Sequence, residues 1–189
     1  TPEPVWAEGG AIDVAAVQRA VDRTRLLGAP RLKMSIGDFR GASASDFGRL
    51  AESVAGIELL IENDQTASAG TLDALQAFFR AAQAAGTPWP MTFDMGNWHW
   101  TGEDPLQAAR AFAPHVGYVH CKGVQRQPHR WVAVPCADSA APWRAVLRAL
   151  PRGLPWAIEY PLVGDDLLAT TRTELGLLRE AAARLVAFA

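Results

Sequence analysis

Four short apolar runs in this sequence stop abruptly on a side chain able to bind a metal ion: GIELLIE at Glu62, MTFD at Asp94, VGYVH at His120 and LPWAIE at Glu159. An apolar run of about four to eight residues that breaks into a polar group and a loop carrying glycine or proline is how a buried parallel strand meets its loop. The four ends stand 32, 26 and 39 residues apart. That is one strand-plus-helix unit between each of the first three, and a unit with a long loop before the fourth.

Helical signals fill the intervals. Asp13 can cap a helix with Val14, Val17 and Val21 on one face, which Gly28 and Pro30 end. Ser45 is the expected cap of a second helix, with Phe47, Leu50 and Val54 inside, and Thr71 opens a third through Leu72, Leu75, Phe78 and Phe79. Asp104-Pro105 is a strong start, because aspartate accepts from free N–H groups and proline at the first helical position needs no donor. Pro142 begins a helix through Trp143, Val146, Leu147 and Leu150, and a closing helix covers about 165–188. Two further strands are expected, one at 31–36 and a weaker one around Val5 and Trp6, and Val132 to Val134 can pair briefly inside the long loop 122–139.

Strands alternating with helices mean βα units and a parallel sheet. A doubly wound sheet would carry its site on one glycine-rich phosphate turn, and neither G-x-G-x-x-G nor a Walker pattern occurs in the chain. In a (β/α)8 barrel, ligating side chains come instead from the C-terminal ends of several strands, which is the pattern here. A complete barrel takes about 250 residues, or roughly 31 per unit. The 189 residues leave room for six strands. The expectation is one domain, 1–189: a partial TIM barrel with about two N-terminal βα units missing, whose first strand would be an edge.

The net charge of −2 argues against a phosphate-neutralising surface and hence against nucleic acid as a partner. No apolar stretch reaches the roughly 20 residues a membrane helix needs, so no membrane partner is expected. Cys121 and Cys136 show no zinc-ribbon or disulfide spacing, and a reducing cytoplasm is the expected compartment. An exposed sheet edge and seven tryptophans leave a homo-oligomer open. Among eighteen basic residues only two, Lys33 and Lys122, are lysines.

Three carboxylates and an imidazole make a hard, oxygen-rich site suited to Mn²⁺ or Mg²⁺, with Co²⁺ or Zn²⁺ tolerated. The motifs that carry them, IEND at 61–64, FDMGN at 93–97, VHCKG at 119–123 and IEYP at 158–161, resemble in order the xylose isomerase-like TIM-barrel superfamily, and most closely its sugar phosphate isomerase/epimerase family. The resemblance implies that Glu62, Asp94, His120 and Glu159 bind one divalent metal, Mn²⁺ first among the candidates. It also implies that Glu62 and Glu159 exchange protons with a sugar, through a cis-enediolate at a metal-bound hydroxy-carbonyl. Removal and return of a proton on opposite faces would give epimerisation, and transfer between adjacent carbons would give aldose–ketose isomerisation.

Asn97 and Arg126 match family positions that contact substrate oxygens. Asn97 stands where several ketose epimerases have histidine, and its turn-forming role is an equal alternative; Arg126 can equally be a solvated loop charge. Lys122 follows the ligand histidine where the family commonly reads H-x-K-D, with Gly123 in place of the aspartate. Trp98 could wall a sugar pocket or pack in the core. A non-catalytic sugar-binding remnant and a keto-sugar or keto-inositol dehydratase remain alternatives. An apurinic endonuclease of the endonuclease IV type is disfavoured, because it needs an Asp-x-x-His pair and many further histidines, whereas this chain has Asp94-x-x-Asn97 and four histidines in all.

Overall fold

The fold is described from a computed structural model covering residues 1–187. It divides into two compact units, Thr1–Phe93 and Asp94–Ala189. The first unit alternates β1 (Pro4–Trp6), α1 (Val14–Leu26), β2 (Arg31–Gly37), α2 (Ala44–Ser53), β3 (Glu58–Glu62) and α3 (Leu72–Ala84), and ends within β4 (Met91–Asp94). β1 pairs parallel with β2, β2 with β3 and β3 with β4, with Ser35 opposite Glu62 and Glu62 opposite Thr92. Such parallel neighbours need a crossover, and each helix supplies one.

The helices start where short polar side chains satisfy free N–H groups. Asp13 accepts from the Ala16 N–H at 2.9 Å, and Thr71 caps α3. The second cap is Ser43 and not the expected Ser45, because Ser43 and Asp46 form a reciprocal box in which each side chain accepts from the other's backbone N–H. Val14 also departs from expectation. It is 60% exposed, since the buried stripe of α1 runs through Ala16, Val17, Ala20, Val21 and Thr24 and leaves residue 14 about a quarter-turn off centre. Inside this unit the rings of Phe39, Phe47 and Phe78 lie 4.9, 5.9 and 5.5 Å from Trp6.

The second unit begins with the last residue of β4. It continues with α4 (Trp98–Thr101), α5 (Pro105–Phe112), β5 (Val116–Cys121), a hairpin of β6 (Gly123–Arg126) and β7 (Trp131–Val134), α6 (Trp143–Ala149), β8 (Trp156–Ile158) and α7 (Leu167–Ala187). Asp104 Oδ1 accepts from the N–H groups of Leu106 and Gln107 at 2.7 and 3.2 Å, so the Asp-Pro start signal holds. The closing helix was expected to reach Phe188, which lies outside the described residues. β5 pairs parallel with β8, placing His120 opposite Ala157, and β6 pairs antiparallel with β7. Strand order is β1-β2-β3-β4 in the first set and β5-β8 in the second, together the six strands expected. Among the described residues no helix is long and apolar enough to cross a membrane.

Candidate metal and sugar site

Each predicted ligand sits at or just past the C-terminal end of a strand. Glu62 is the last residue of β3, Asp94 the last of β4, His120 the last but one of β5, and Glu159 follows β8 directly. Glu159 is held there by its backbone N–H, which donates to the Cys121 carbonyl at 3.1 Å.

In the first unit Glu62 is 5% exposed, and the Lys33 ammonium from β2 donates to its Oε2. In the second unit the two oxygens of Asp94 divide their work. Oδ1 accepts from the backbone N–H groups of Gly96 and Asn97, both at 2.8 Å, which fixes the carboxylate at the start of the turn into α4. Oδ2 lies 3.8 Å from His120 Nδ1, and Glu159 Oε2 lies 3.0 Å from that same nitrogen. Asp94 is fully buried and His120 is 9% exposed. Within this unit Asp94, His120 and Glu159 thus each turn one ligand atom towards the others. Oxygen and nitrogen ligands sit about 2.0–2.6 Å from Zn²⁺, Mg²⁺ or Ca²⁺, so such a spread fits one divalent ion.

Lys122 joins this group as a charged member. Its Nζ is 2.8 Å from Asp94 Oδ2, 2.9 Å from Glu159 Oε2 and 3.1 Å from Asn97 Oδ1. The side chain of Asn97 thus accepts from the Lys122 ammonium. Two glycines make room. A Cβ at Gly96 would come within 2.8 Å of the Lys122 Cγ and Cδ, and one at Gly123 within 2.5 Å of the Pro135 carbonyl oxygen. The second contact explains why an aspartate cannot follow Lys122 here without a shift of the β6–β7 hairpin.

The electrostatics follow from burial and these pairings. Burial, together with a hydrogen bond shared with Glu159, pushes Asp94 up to about 7, against the pull of Lys122. Glu159 is also penalised by burial, yet hydrogen bonds from His120 and Asp94 and the charge of Lys122 hold it well below the carboxylate range. Burial disfavours the Lys122 ammonium, but Asp94 and Glu159 outweigh it and raise that lysine's pKa. The thiols of Cys121 and Cys136 are pushed up by burial, Cys136 to about 12, and stay un-ionised.

The remaining sequence candidates separate. Trp98, expected as a possible pocket wall, is fully buried and stacked at 13° on Phe112, so it packs the core of the second unit. Arg126 is exposed at the end of β6, with its guanidinium 5.3 Å from the centre of the Trp131 ring. Trp131 and Lys33 were missed as partners. Trp131 also meets the His99 ring at 4.8 Å. The available signal for Lys33 was composition, because both lysines of an arginine-rich chain prove to lie against predicted ligand carboxylates. A groove of about 440 Å³ lined by Leu147, Arg148, Leu154, Trp156 and Leu185 has no carboxylate or imidazole in its lining among the described residues.

No protein-family model matches the sequence, and no curated protein matches it. Solved structures do match. The chain overlays on L-ribulose 3-epimerase with a TM-score of 0.68 at 16% identity, over 91% of this chain and 67% of that one. It overlays on the IOLI protein, whose structure has a bound zinc atom, with a TM-score of 0.65 at 10% identity, over 91% and 69%. The chain has the xylose isomerase-like TIM-barrel fold. An AP endonuclease of family 2 from Brucella melitensis shares it at a TM-score of 0.51 and 16% identity, over 86% of this chain and 64% of that one. Likeness at these identities speaks for the xylose isomerase-like fold and leaves chemistry to the residues.

Proposed function

We propose that this chain is a divalent-metal-dependent sugar isomerase or epimerase, with Glu62, Asp94, His120 and Glu159 as ligands and residues 1–189 forming one partial barrel domain. The observation that carries the reading is the convergence of Asp94 Oδ2 and Glu159 Oε2 on His120 Nδ1, at 3.8 and 3.0 Å, from strand ends. An imidazole with carboxylates is the donor set for Mn²⁺, Mg²⁺ or Zn²⁺, and Mn²⁺ is our first choice. When bound, such an ion would polarise a hydroxy-carbonyl and stabilise the negative charge that develops as the neighbouring C–H bond loses its proton.

The protein's own groups supply the rest. Glu159, ionised at neutral pH and half-buried, is equipped to take the proton from carbon, and Glu62 to pass on to carbon a proton received from the Lys33 ammonium that donates to it, which solvent then replaces. Epimerisation follows if the return is to the opposite face, and isomerisation if it is to the adjacent carbon. Asn97 and Lys122 present an amide and an ammonium beside the ligands, the right chemistry for sugar hydroxyls. Arg126, backed by Trp131, offers a further donor from the hairpin.

The test is proton exchange. With Mn²⁺ and a panel of ketoses and aldoses in D₂O, NMR should show deuterium entering the carbon next to the carbonyl, together with a new epimer or aldose. Glu159→Gln should slow the exchange about 10²–10⁴-fold. Loss of water to a dehydrated product would identify the dehydratase alternative, and binding of metal and sugar without any exchange would leave only the sugar-binding remnant.

A further inference from the structure

Lysine is used twice in this chain against sixteen arginines, and both lysines contact carboxylates of the proposed ligand set. A surface ion pair has no need for this choice, and elsewhere the chain makes such pairs with arginine, as in Arg31 with Glu58 and Arg19 with Glu3. The two cations differ in a way that bears on a metal site. Arginine is a planar fork that binds a carboxylate in a fixed bidentate geometry, whereas lysine is a compact point charge on a flexible four-carbon stem that can retract.

We infer that Lys122 is a tethered cation that competes with the divalent ion for Asp94 and Glu159: it neutralises these carboxylates when the ion is away and must withdraw when it binds. The inference rests on the metal-site reading above. Three observations carry it. The oxygens that Lys122 Nζ contacts, at 2.8 and 2.9 Å, are the same Asp94 Oδ2 and Glu159 Oε2 that face His120 Nδ1. A cation shared by those three ligand atoms would lie close to the ammonium, and two like charges would contend for the same oxygens in a buried setting where screening is weak.

The lysine also has a retreat. Asn97 Oδ1, at 3.1 Å, can hold the ammonium without any carboxylate. The stem passes Gly96 so closely that any side chain there would collide with it, so the lysine's path is built into the turn. Finally, the side chain of Lys122 is 9% exposed and that of Asp94 fully buried. A buried carboxylate pair without a partner is costly, and a resident cation is what allows this unit to fold before metal arrives. Lys33 on Glu62 repeats the arrangement in the first unit.

The experiment is calorimetric Mn²⁺ titration of the full chain, with Lys122→Met, which keeps the stem and removes the charge, and Lys122→Arg, which keeps the charge. Thermal unfolding of each is followed with and without metal. The expected result is tenfold or more tighter Mn²⁺ binding by Lys122→Met, about 1.4 kcal/mol, with a lowered metal-free Tm and a metal-bound Tm close to wild type. Lys122→Arg should bind no tighter than wild type. Unchanged or weaker binding by Lys122→Met, while the wild type binds normally, overturns the competition and leaves the metal site standing. If no folded form binds Mn²⁺, both the metal-site reading and this inference fall. Should Lys122→Met fold only with metal present, Lys122→Gln, which also removes the charge but keeps a polar tip, takes its place in the same titration, and unchanged or weaker Mn²⁺ binding by it overturns the competition.

Discussion

Two buried clusters, one in each unit, are built from opposite materials. In the first, Trp6 meets the rings of Phe39, Phe47 and Phe78 edge-on, a cluster of aromatic rings alone. In the second, Asp94, Asn97, His120 and Lys122 are all buried within a few residues of the strand ends. Aromatic burial contributes stability without specifying chemistry. Buried charge costs stability unless it is paired, and a protein that carries such a cluster is holding it for a task. The aromatic cluster should therefore respond to mutation chiefly in stability, and the buried polar cluster of the second unit chiefly in binding.

The largest expected effect is on the first side of that contrast. Phe78→Ala removes a fully buried ring and should cost about 3–5 kcal/mol, read as a lower urea midpoint, with unchanged Mn²⁺ affinity in the fraction that stays folded. Next comes Asp94→Asn, which should weaken Mn²⁺ binding by about a hundredfold or more while moving the Tm far less than Phe78→Ala does, because the amide still fits the turn. If Asp94→Asn unfolded the chain, the contrast between the units would break.

A smaller effect is set by pH. The carboxyl of Asp94 titrates near 7 in the fold against an ordinary 3.8. Between these values the folded chain keeps a proton that the unfolded chain has released, so the Asp94 contribution is greatest at the acid end and is lost as pH rises through the folded value. The metal-free Tm should fall from pH 4 to pH 7 in the wild type and stay flatter in Asp94→Asn, while Mn²⁺ affinity rises over the same range as Asp94 ionises. Glu159 acts oppositely and lower. Its depressed pKa gives stability present above the ordinary 4.5 and lost as pH falls below it. The smallest effect is expected at Arg126→Ala, which should leave the Tm and Mn²⁺ affinity unchanged and raise the KM for a turned-over sugar several-fold.

Much of this was legible in the sequence because parallel strands announce themselves twice, by an apolar run and by the polar residue that ends it. The six strands and the strand-end positions of the four proposed ligands followed from that pattern, and the caps at Asp13, Thr71 and Asp104 from short polar side chains standing just before apolar helical stripes. What escaped depends on side-chain direction. Ser43 won the cap from Ser45 through the reciprocal bond with Asp46, which only the backbone turn reveals. Trp98 reads identically as a wall or as core, and its stacking on Phe112 decided for core. The pairing of Lys122 with Asp94 and Glu159 depends on how a long stem crosses Gly96, and no periodicity encodes that.

The most direct test of the account is Mn²⁺ titration of the purified chain against its Glu159→Gln variant. The account predicts one Mn²⁺ bound per wild-type chain and binding weakened tenfold or more in the variant, about 1.4 kcal/mol. A folded wild-type chain that binds no divalent ion, or a variant that binds as tightly as wild type, would contradict it.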